Sequence, residues 1–303
     1  MKRSEKREAN TGWWRLGLIG WPVAHSRSPQ IHMAAMAEFK VRGEYQLYPV
    51  PPLPQGSPAL SDLMAALRRG ELQGLNITIP HKQVVCDFMD VLTESAHEIG
   101  AVNTIIYRDG SLIGENTDAP GFLADLERVF SWKVAKGEKH GSHALVLGAG
   151  GAARAVVFAL WNAGWSVMVA ARRVEQAESL ISYFDRSRSD GSLSAIHFTP
   201  SELSSLKDDL ALVVNATPLG MAPDISRSPW PDQIPLPASA AVYDLVYNPT
   251  ETRLLHTARE AGLEASNGLG MLVEQAALAF ECWTGLSPSR DLLLNQLLKE
   301  EVQ

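Results

Sequence analysis

The sequence predicts an α/β fold of two domains, one with a mostly parallel sheet and one with a doubly wound sheet. Short apolar strands alternate with helical patterns along the chain, which is typical of parallel sheets covered by helices. A glycine-rich turn at residues 148–153 separates an apolar strand from a helix. Many hydroxyls and amides, with a lysine and an aspartate, precede that turn in residues 20–118. We therefore expect two domains of different chemistry with a ligand cleft between them.

The N-terminal part is predicted to run strand, helix, strand, helix, strand. Proline in its first turn favours the first helix, and Gly70 ends the second helix. Prolines at positions 51, 52 and 54 stop the second strand. The predicted elements are Leu16–Gly20, Pro29–Phe39, Tyr45–Val50, Asp62–Arg69 and Leu75–Ile79.

The second part is predicted to contain a βαβ unit followed by further short strands. Polar loops are expected over residues 133–142 and 185–194, and a proline-rich loop over residues 223–237. The chain is predicted to end in two helices. The predicted strands are His143–Leu147, Ser166–Ala170, Leu210–Asn215 and Ala241–Leu245. The predicted helices are Phe122–Phe130, one that follows Gly148–Ala153 and runs to about Ala163, Met271–Trp283 and Arg290–Leu298.

These elements predict a discontinuous first domain. Residues 1–119 and 268–303 are expected to form the domain that holds the polar residues, and residues 120–267 the dinucleotide-binding domain. Residues 1–12 mix both charges without an apolar run, so we expect a disordered extension and no signal peptide.

Composition limits the partners. The chain of 303 residues has a net charge of −7, which argues against nucleic acid or an anionic membrane as its main partner. No apolar run approaches the roughly 18 residues that span a bilayer. Cys86 and Cys282 stand far apart, without a Cys/His cluster. We expect no metal site and free thiols in a reducing cytoplasm.

The glycine-rich turn fits the dinucleotide fingerprint. Gly148, Gly150 and Ala153 match G-x-G-x-x-G/A between a predicted strand and helix. The first glycine permits a tight turn, and the second lets the backbone approach a pyrophosphate. The helix N-terminus adds free N–H groups and a positive dipole end. This context favours dinucleotide binding over a merely structural turn.

The end of the next strand favours NADP(H) over NAD. An acidic side chain there would bind a ribose 2′-hydroxyl, whereas arginine accommodates a 2′-phosphate. Here Ala171 is followed by Arg172 and Arg173, and no acid occurs before Glu175. The alternative is a pair of solvated surface arginines.

The first domain carries polar residues beside apolar strands. Ser26 and Ser28 precede a helix, although Ser28 alone could serve as a helix cap. Asn76 and Thr78 share one face of a strand that Lys82 follows. Two further clusters are Asn103-Thr104 and Asn116-Thr117-Asp118. Such a set suits a polyhydroxylated, anionic small molecule.

These blocks resemble the shikimate dehydrogenase family, over nearly the whole chain from about Leu16. Many blocks in order are more specific than a lone glycine fingerprint. The matching blocks are Gly20–Pro29, Gly74–Lys82, Gly100–Thr104, Gly114–Asp118, Gly148–Ala152, Asn215–Gly220, Tyr243–Tyr247 and Gly268–Gln275.

The resemblance implies a Rossmann-type NADP-binding domain and NADPH-dependent reduction of 3-dehydroshikimate to shikimate, in chorismate and aromatic amino acid biosynthesis. It implies that Lys82 and Asp118 are the catalytic pair and also touch the substrate. The implied substrate-binding residues are Ser26, Ser28, Asn76, Thr78, Asn103, Tyr247 and Gln275. The implied cofactor-binding residues are Gly148, Ala149, Gly150, Gly151, Ala152, Ala171, Arg172, Arg173, Leu245, Gly268 and Met271.

Several departures and alternatives accompany the resemblance. The family commonly has asparagine where Met33 stands, and Asn-Arg-Thr where Ala171-Arg172-Arg173 stands. Taken singly, Lys82 could be a solvated surface lysine, and Asp118 could be a helix N-cap. Gln275 lies four residues after Met271, so the two share a helix face.

Two other functions stay open from the sequence. The first is a quinate/shikimate dehydrogenase of the same family that uses NAD or accepts a broader range of substrates, against which Ser26, Ser28 and the paired arginines argue. The second is a catalytically silent dinucleotide-binding regulator, against which the retention of Lys82 and Asp118 argues. The sequence does not fix the oligomeric state and leaves a homodimer open.

Overall fold

A computed structural model describes residues 12–130, 143–184, 192–206 and 210–299 of the chain. Residues 1–11 of the predicted extension and the predicted loop over residues 133–142 lie outside these ranges. The strands are β1 Trp14–Gly20, β2 Gly43–Pro49, β3 Gly74–Ile77, β4 Val91–Leu92, β5 Thr104–Arg108, β6 Ser111–Glu115, β7 His143–Leu147, β8 Ser166–Ala171, β9 Leu193–His197, β10 Leu210–Asn215, β11 Ala241–Asp244 and β12 Ala265–Asn267.

Helices cover both sheets that these strands form. The helices are α1 Ser28–Glu38, α2 Ser57–Arg68, α3 Glu94–Ile99, α4 Asp118–Val129, α5 Gly151–Asn162, α6 Val174–Phe184, α7 Pro200–Ser204, α8 Arg253–Glu260, α9 Leu269–Thr284 and α10 Arg290–Lys299. No helix among the described residues is long and apolar enough to cross a membrane.

The first sheet has the strand order β2-β1-β3-β5-β6-β4. Strand β1 pairs in parallel with β2 and β3, and β4 pairs in parallel with β6. Strand β5 runs antiparallel to both β3 and β6. The mostly parallel sheet predicted for the N-terminal part is therefore confirmed, with an antiparallel hairpin inserted.

The second sheet has the strand order β12-β11-β10-β7-β8-β9, and every pairing in it is parallel. This is the order of a doubly wound dinucleotide-binding sheet, with its first strand at β7 and its reversal between β7 and β10. Ligands of such sheets bind at the carboxyl ends of the strands where the order reverses. The predicted α/β fold class is confirmed.

Helix α9 joins the C-terminal segment to the first sheet. Val273, Ala276, Ala277 and Phe280 of α9 are buried in one core cluster with β1, α1 and α10. Helix α9 also lies against α4, so it stands beside both sheets. The C-terminal helices α9 and α10 therefore share a core with the first sheet.

Most predicted elements are found, with shifted ends and some omissions. Helix α2 begins at Ser57 rather than at Asp62, because Pro58 fits the first turn of a helix. The predicted end of the loop over residues 185–194 is wrong, since β9 begins at Leu193 and pairs with β8. Residues 185–191 lie outside the described ranges. The unpredicted elements are β4, β5, β6, β9, β12, α3, α6, α7 and α8.

Candidate active site

Lys82 and Asp118 form the centre of the candidate active site. Lys82 Nζ donates a hydrogen bond to Asp118 Oδ2 at 2.6 Å. The Lys82 side chain is 14% exposed and the Asp118 side chain 5% exposed, so Lys82 is not a solvated surface lysine. The ammonium keeps two further N–H donors beyond the one directed at Asp118.

The start of α4 explains why the Asp118 carboxylate faces Lys82. Asn116 Oδ1 accepts hydrogen bonds from the backbone N–H groups of Asp118 at 3.1 Å and of Ala119 at 3.2 Å. Asn116 therefore satisfies the first donors of the helix, and the N-cap alternative for Asp118 is wrong. The carboxylate is left for the site.

Asn103 fixes the second oxygen of that carboxylate. Its Nδ2 donates to Asp118 Oδ1 at 2.9 Å and to Thr117 Oγ1 at 2.9 Å. Gln275 Oε1, on α9, accepts from the same nitrogen at 3.5 Å. The β5–β6 hairpin makes this possible, because its backbone pairing sets Asn103 N 3.1 Å from Glu115 O, just before α4. Asn103, Asp118 and Gln275 thus lie together.

Asn76 is held from several sides. Its Oδ1 accepts from the Tyr45 hydroxyl at 2.8 Å, and its Nδ2 donates to Asn103 O at 3.2 Å and Thr104 Oγ1 at 3.1 Å. The amide oxygen Oδ1 can still accept one further hydrogen bond, from a ligand. Thr78 is half-buried just beyond β3. Sequence reasoning missed Tyr45, whose only signal was an inward position in an alternating strand.

Ser26 and Ser28 form a small hydroxyl pair at the start of α1. Ser26 Oγ donates to Ser28 Oγ at 3.2 Å. Tyr247, which follows β11 in the second sheet, reaches this pair. Burial raises the pKa of Tyr247, and hydrogen bonds with Arg27 and Ser26 oppose that effect. The phenol therefore stays neutral and can donate a hydrogen bond beside the serines.

The turn after β7 fits the pyrophosphate of a dinucleotide. Gly148 has φ of +113°, and a Cβ there would come 3.1 Å from the Ala216 carbonyl oxygen. A Cβ at Gly150 would meet nothing within 4 Å, so open space lies before the N-terminus of α5. The first N–H groups of a helix have no partner within it and attract anions. The residues of this turn are Gly148, Ala149, Gly150, Gly151 and Ala152.

The other predicted cofactor residues fall into two groups. Ala171 ends β8 and is buried, while Arg172 and Arg173 follow it and are exposed. Exposed arginines at this position could bind the 2′-phosphate of NADP(H) or could simply be solvated, so both interpretations remain. Gly268 lies directly against Leu245, because a Cβ on it would come 2.3 Å from the Leu245 carbonyl oxygen. Met271 is 7% exposed and belongs to the core around α4 and β7.

The two halves of the site meet at Lys82. A Cβ on Gly151, the first residue of α5, would lie 2.9 Å from Lys82 Cβ. The glycine-rich turn therefore approaches the lysine more closely than any side chain at position 151 allows. The structure brings together Lys82, Asp118, Asn103, Gln275 and the turn, as the sequence predicts.

A doubly wound sheet with a glycine-rich turn, next to a lysine–aspartate pair in a polar site, defines the class of dinucleotide-dependent dehydrogenases. Residues 18–105 match the family described as the shikimate dehydrogenase substrate binding domain. Residues 268–298 match the shikimate 5′-dehydrogenase C-terminal domain.

Curated relatives cover almost the whole chain. A protein of Symbiobacterium thermophilum named shikimate dehydrogenase (NADP(+)) is 43% identical over 93% of this chain and 93% of its own length. One of Salinibacter ruber with the same name is 44% identical over 88% of this chain and 90% of its own length. The chain therefore belongs to the shikimate dehydrogenase family.

Solved structures agree with this. The Thermus thermophilus shikimate 5-dehydrogenase, solved with NADP(H) and shikimate, superposes with a TM-score of 0.79 at 38% identity, covering 94% of this chain and 99% of that one. The Corynebacterium glutamicum quinate dehydrogenase, solved with NAD, gives a TM-score of 0.82 at 29% identity, with coverage of 94% and 99%.

Proposed function

We propose that the chain is an NADP-dependent shikimate dehydrogenase that reduces 3-dehydroshikimate to shikimate, in the biosynthesis of chorismate and aromatic amino acids. Relatives with this name and solved complexes with NADP and shikimate support the activity and the cofactor. The observation that carries the proposal for this chain's own residues is the 2.6 Å contact between Lys82 and Asp118 beside the α5 turn.

Each residue has a proposed role in holding the substrate. The hydroxyls of Ser26 and Ser28, with the neutral Tyr247 phenol, can donate hydrogen bonds to the substrate carboxylate. Asn76, Thr78, Asn103 and Gln275 supply amide and hydroxyl groups for the ring hydroxyls. Several fixed polar groups around one small ligand define its orientation, which lowers the entropic part of the barrier.

The cofactor would be held at three places. Its pyrophosphate would lie against residues 148–152, and its adenosine 2′-phosphate against Ala171, Arg172 and Arg173. The nicotinamide pocket would be lined by Leu245, Gly268 and Met271. When bound, the reduced cofactor supplies the hydride that goes to the ketone carbon. Lys82 donates a proton from Nζ to the carbonyl oxygen as negative charge develops there, and its ammonium stabilises that charge. Asp118 keeps Lys82 oriented through Oδ2, while Asn103 keeps Asp118 oriented through Oδ1. In shikimate oxidation Lys82 accepts the proton instead.

The division of the chain is part of the proposal. Residues 1–119 and 268–303 would form the substrate domain, and residues 120–267 the NADP-binding domain. Two separate sheets, with strands within 14–115 and 143–267, support this division. We also propose the cytoplasm as the location, because its reducing conditions suit the free thiols of Cys86 and Cys282. Sedimentation velocity tests the homodimer, which would double the 33.0 kDa mass of one chain.

The test is NADP⁺ reduction followed at 340 nm with shikimate, run beside NAD⁺ and quinate. Turnover confined to shikimate and NADP⁺ supports the proposal. Turnover only with quinate or NAD⁺ would instead indicate the quinate dehydrogenase alternative. A folded chain that binds NADP⁺ and turns over neither polyol would indicate the silent regulator.

Substitution of the lysine tests the catalytic pair. Lys82→Ala is expected to lower kcat by about 100-fold or more, as loss of a general acid does, with a much smaller change in KM. Lys299→Ala is the matched control, since Lys299 is exposed at the end of α10. Near-normal kcat in folded Lys82→Ala would contradict the assignment.

A further inference from the structure

Arg154, one turn into α5, crosses from the second sheet's helices to those of the first. It is only 7% exposed. Its Nε donates a hydrogen bond to the carbonyl oxygen of Ile99 at 2.7 Å. The guanidinium carbon also lies 4.2 Å from the ring centre of Tyr183, on α6, at cation–π distance. Arg154 is therefore placed by contacts on both sides.

Tyr183 makes a parallel contact with the same partner helix. Its hydroxyl donates to the carbonyl oxygen of His97 at 2.5 Å. Both acceptors belong to the last turn of α3, where carbonyl groups have no partner within the helix and the helix dipole is negative. Two residues of the second sheet's layer thus cap the C-terminus of a helix of the first.

The charge on Arg154 makes this contact sensitive to the relative position of α3 and α5. Among the residues that the structure describes, no carboxylate forms an ion pair with Arg154. Burial lowers the pKa of its guanidinium, and interactions with Tyr183 and Cys86 partly oppose that effect. A buried cation is costly unless its surroundings compensate it. The Tyr183 ring supplies part of that compensation from α6. The Ile99 carbonyl supplies another part, and only when α3 and α5 stand in their present relative position.

The contact is connected to both proposed ligand sites. The chain continues from α3 through Val102, whose N–H donates to the carbonyl oxygen of Lys82 at 2.7 Å, to Asn103. On the other side, Gly151 of α5 lies against the Lys82 side chain. Helix α5 therefore contacts Lys82 directly at Gly151 and contacts, through Arg154, the end of α3 that leads to Asn103.

We propose that Arg154 and Tyr183 are positioning residues that couple cofactor binding at the N-terminus of α5 to substrate binding at Lys82 and Asn103. Phosphate contacts that draw α5 into place also set Lys82 and Asn103 through the α3 terminus, so each ligand tightens the other reciprocally. The identity of the two ligands rests on the proposed function; the coupling rests on the contacts between α3, α5 and α6.

The experiment is isothermal titration calorimetry of shikimate with and without saturating NADPH, a pair of reduced ligands that cannot react with each other. We expect NADPH to tighten shikimate binding by roughly fivefold or more in the unsubstituted chain, within the usual range for coupled sites. In Arg154→Met the tightening should fall below about twofold while the dissociation constant of each ligand alone stays within about twofold, since only the coupling is removed. A purely structural role would instead weaken both ligands alone.

Three further variants complete the design. Tyr183→Phe keeps the ring and removes only the hydroxyl, so it folds even if Arg154→Met does not, and it should lose part of the coupling. Arg154→Lys keeps a cation and should restore part of it. Arg253→Met, which removes an exposed ion pair between Arg253 on α8 and Asp232, should leave the coupling unchanged.

Two outcomes are informative in opposite ways. An active chain whose coupling is absent, or stays the same in Arg154→Met and Tyr183→Phe as in the unsubstituted chain, overturns the positioning role and leaves the proposed function intact. An unsubstituted chain that binds NADPH but not shikimate overturns the proposed function, and the coupling of these two ligands with it.

Discussion

His32 makes the stability of the chain sensitive to acid. The imidazole is 1% exposed on α1 and stacks on the Tyr45 ring, with centroids 4.4 Å apart. Within the described residues, neither ring nitrogen has a hydrogen-bond partner. Burial lowers the pKa of His32 from 6.5 to about 3, and the Asn76 side chain opposes this by a smaller amount. The folded chain therefore keeps His32 neutral.

The direction and size of the effect follow from this pKa. Below about pH 6.5 the unfolded chain binds a proton at His32 that the folded chain does not, so the contribution to stability is complete above that pH and is lost as the pH falls toward 3. Each pH unit costs about 1.36 kcal/mol, which gives a loss of about 2 kcal/mol at pH 5. Burial raises the pKa of Asp244 from 3.8 to about 6, so its protonation stabilises the folded chain over that interval and opposes His32.

A comparison with His32→Phe isolates the histidine. Phenylalanine keeps a ring against Tyr45 and cannot be protonated, and Asp244 contributes equally to both proteins. Urea unfolding near pH 7.5 and pH 5 should show that the variant loses about 2 kcal/mol less stability than the unsubstituted chain on acidification. Equal losses in both proteins would refute the reasoning, whatever their absolute stabilities.

Two other substitutions test the cofactor side of the site. Replacing both Arg172 and Arg173 with Gln should raise KM for NADP⁺ by about tenfold or more, because charge-assisted hydrogen bonds to a phosphate are lost. KM for NAD⁺ should stay nearly unchanged. Equal changes for both cofactors would mean that the arginines are solvated surface groups. Gly151→Ala should lower kcat, because the new methyl group displaces the Lys82 side chain from a 2.9 Å approach. Steady-state kinetics checks it, and the melting temperature of Gly151→Ala is the control for intact folding.

The second sheet could be predicted from the sequence because its signals are local. Four of its strands are short apolar runs, and the glycine-rich turn at Gly148 follows the first of them directly. The edge strand β9 carries no such run, since its residues Leu193–His197 are only partly buried or exposed. Periodicity identifies strands with a buried face, so it predicts no strand here, and the loop predicted over residues 185–194 overlaps the start of β9.

The turn between β5 and β6 carries a local hairpin signal. Asp109 and Gly110 both have positive φ, 52° and 85°, and join the two strands directly. Asp-Gly between alternating apolar residues is a strong hairpin signal. This signal predicts the pairing that brings Asn103 to Glu115, three residues before Asp118.

Other contacts had no local signal. Arg154 and Ile99 are 55 positions apart, and Tyr183 and His97 are 86 positions apart. Nothing in the residues around Arg154 distinguishes it from the solvated arginines typical of helix surfaces. The Tyr45 hydroxyl bond to Asn76 likewise depends on strand order, because β1 lies between their strands. Such residues are set by tertiary packing.

The close approach of Gly151 to Lys82 limits which cofactor-binding domains can replace the one in this chain. The position is glycine because of a lysine that lies outside the cofactor-binding unit, 69 residues earlier by numbering. A dinucleotide-binding module transplanted from an unrelated oxidoreductase would meet a steric barrier here if it carried any larger residue at this point of its turn. The two units have to be exchanged, or evolve, as a matched set.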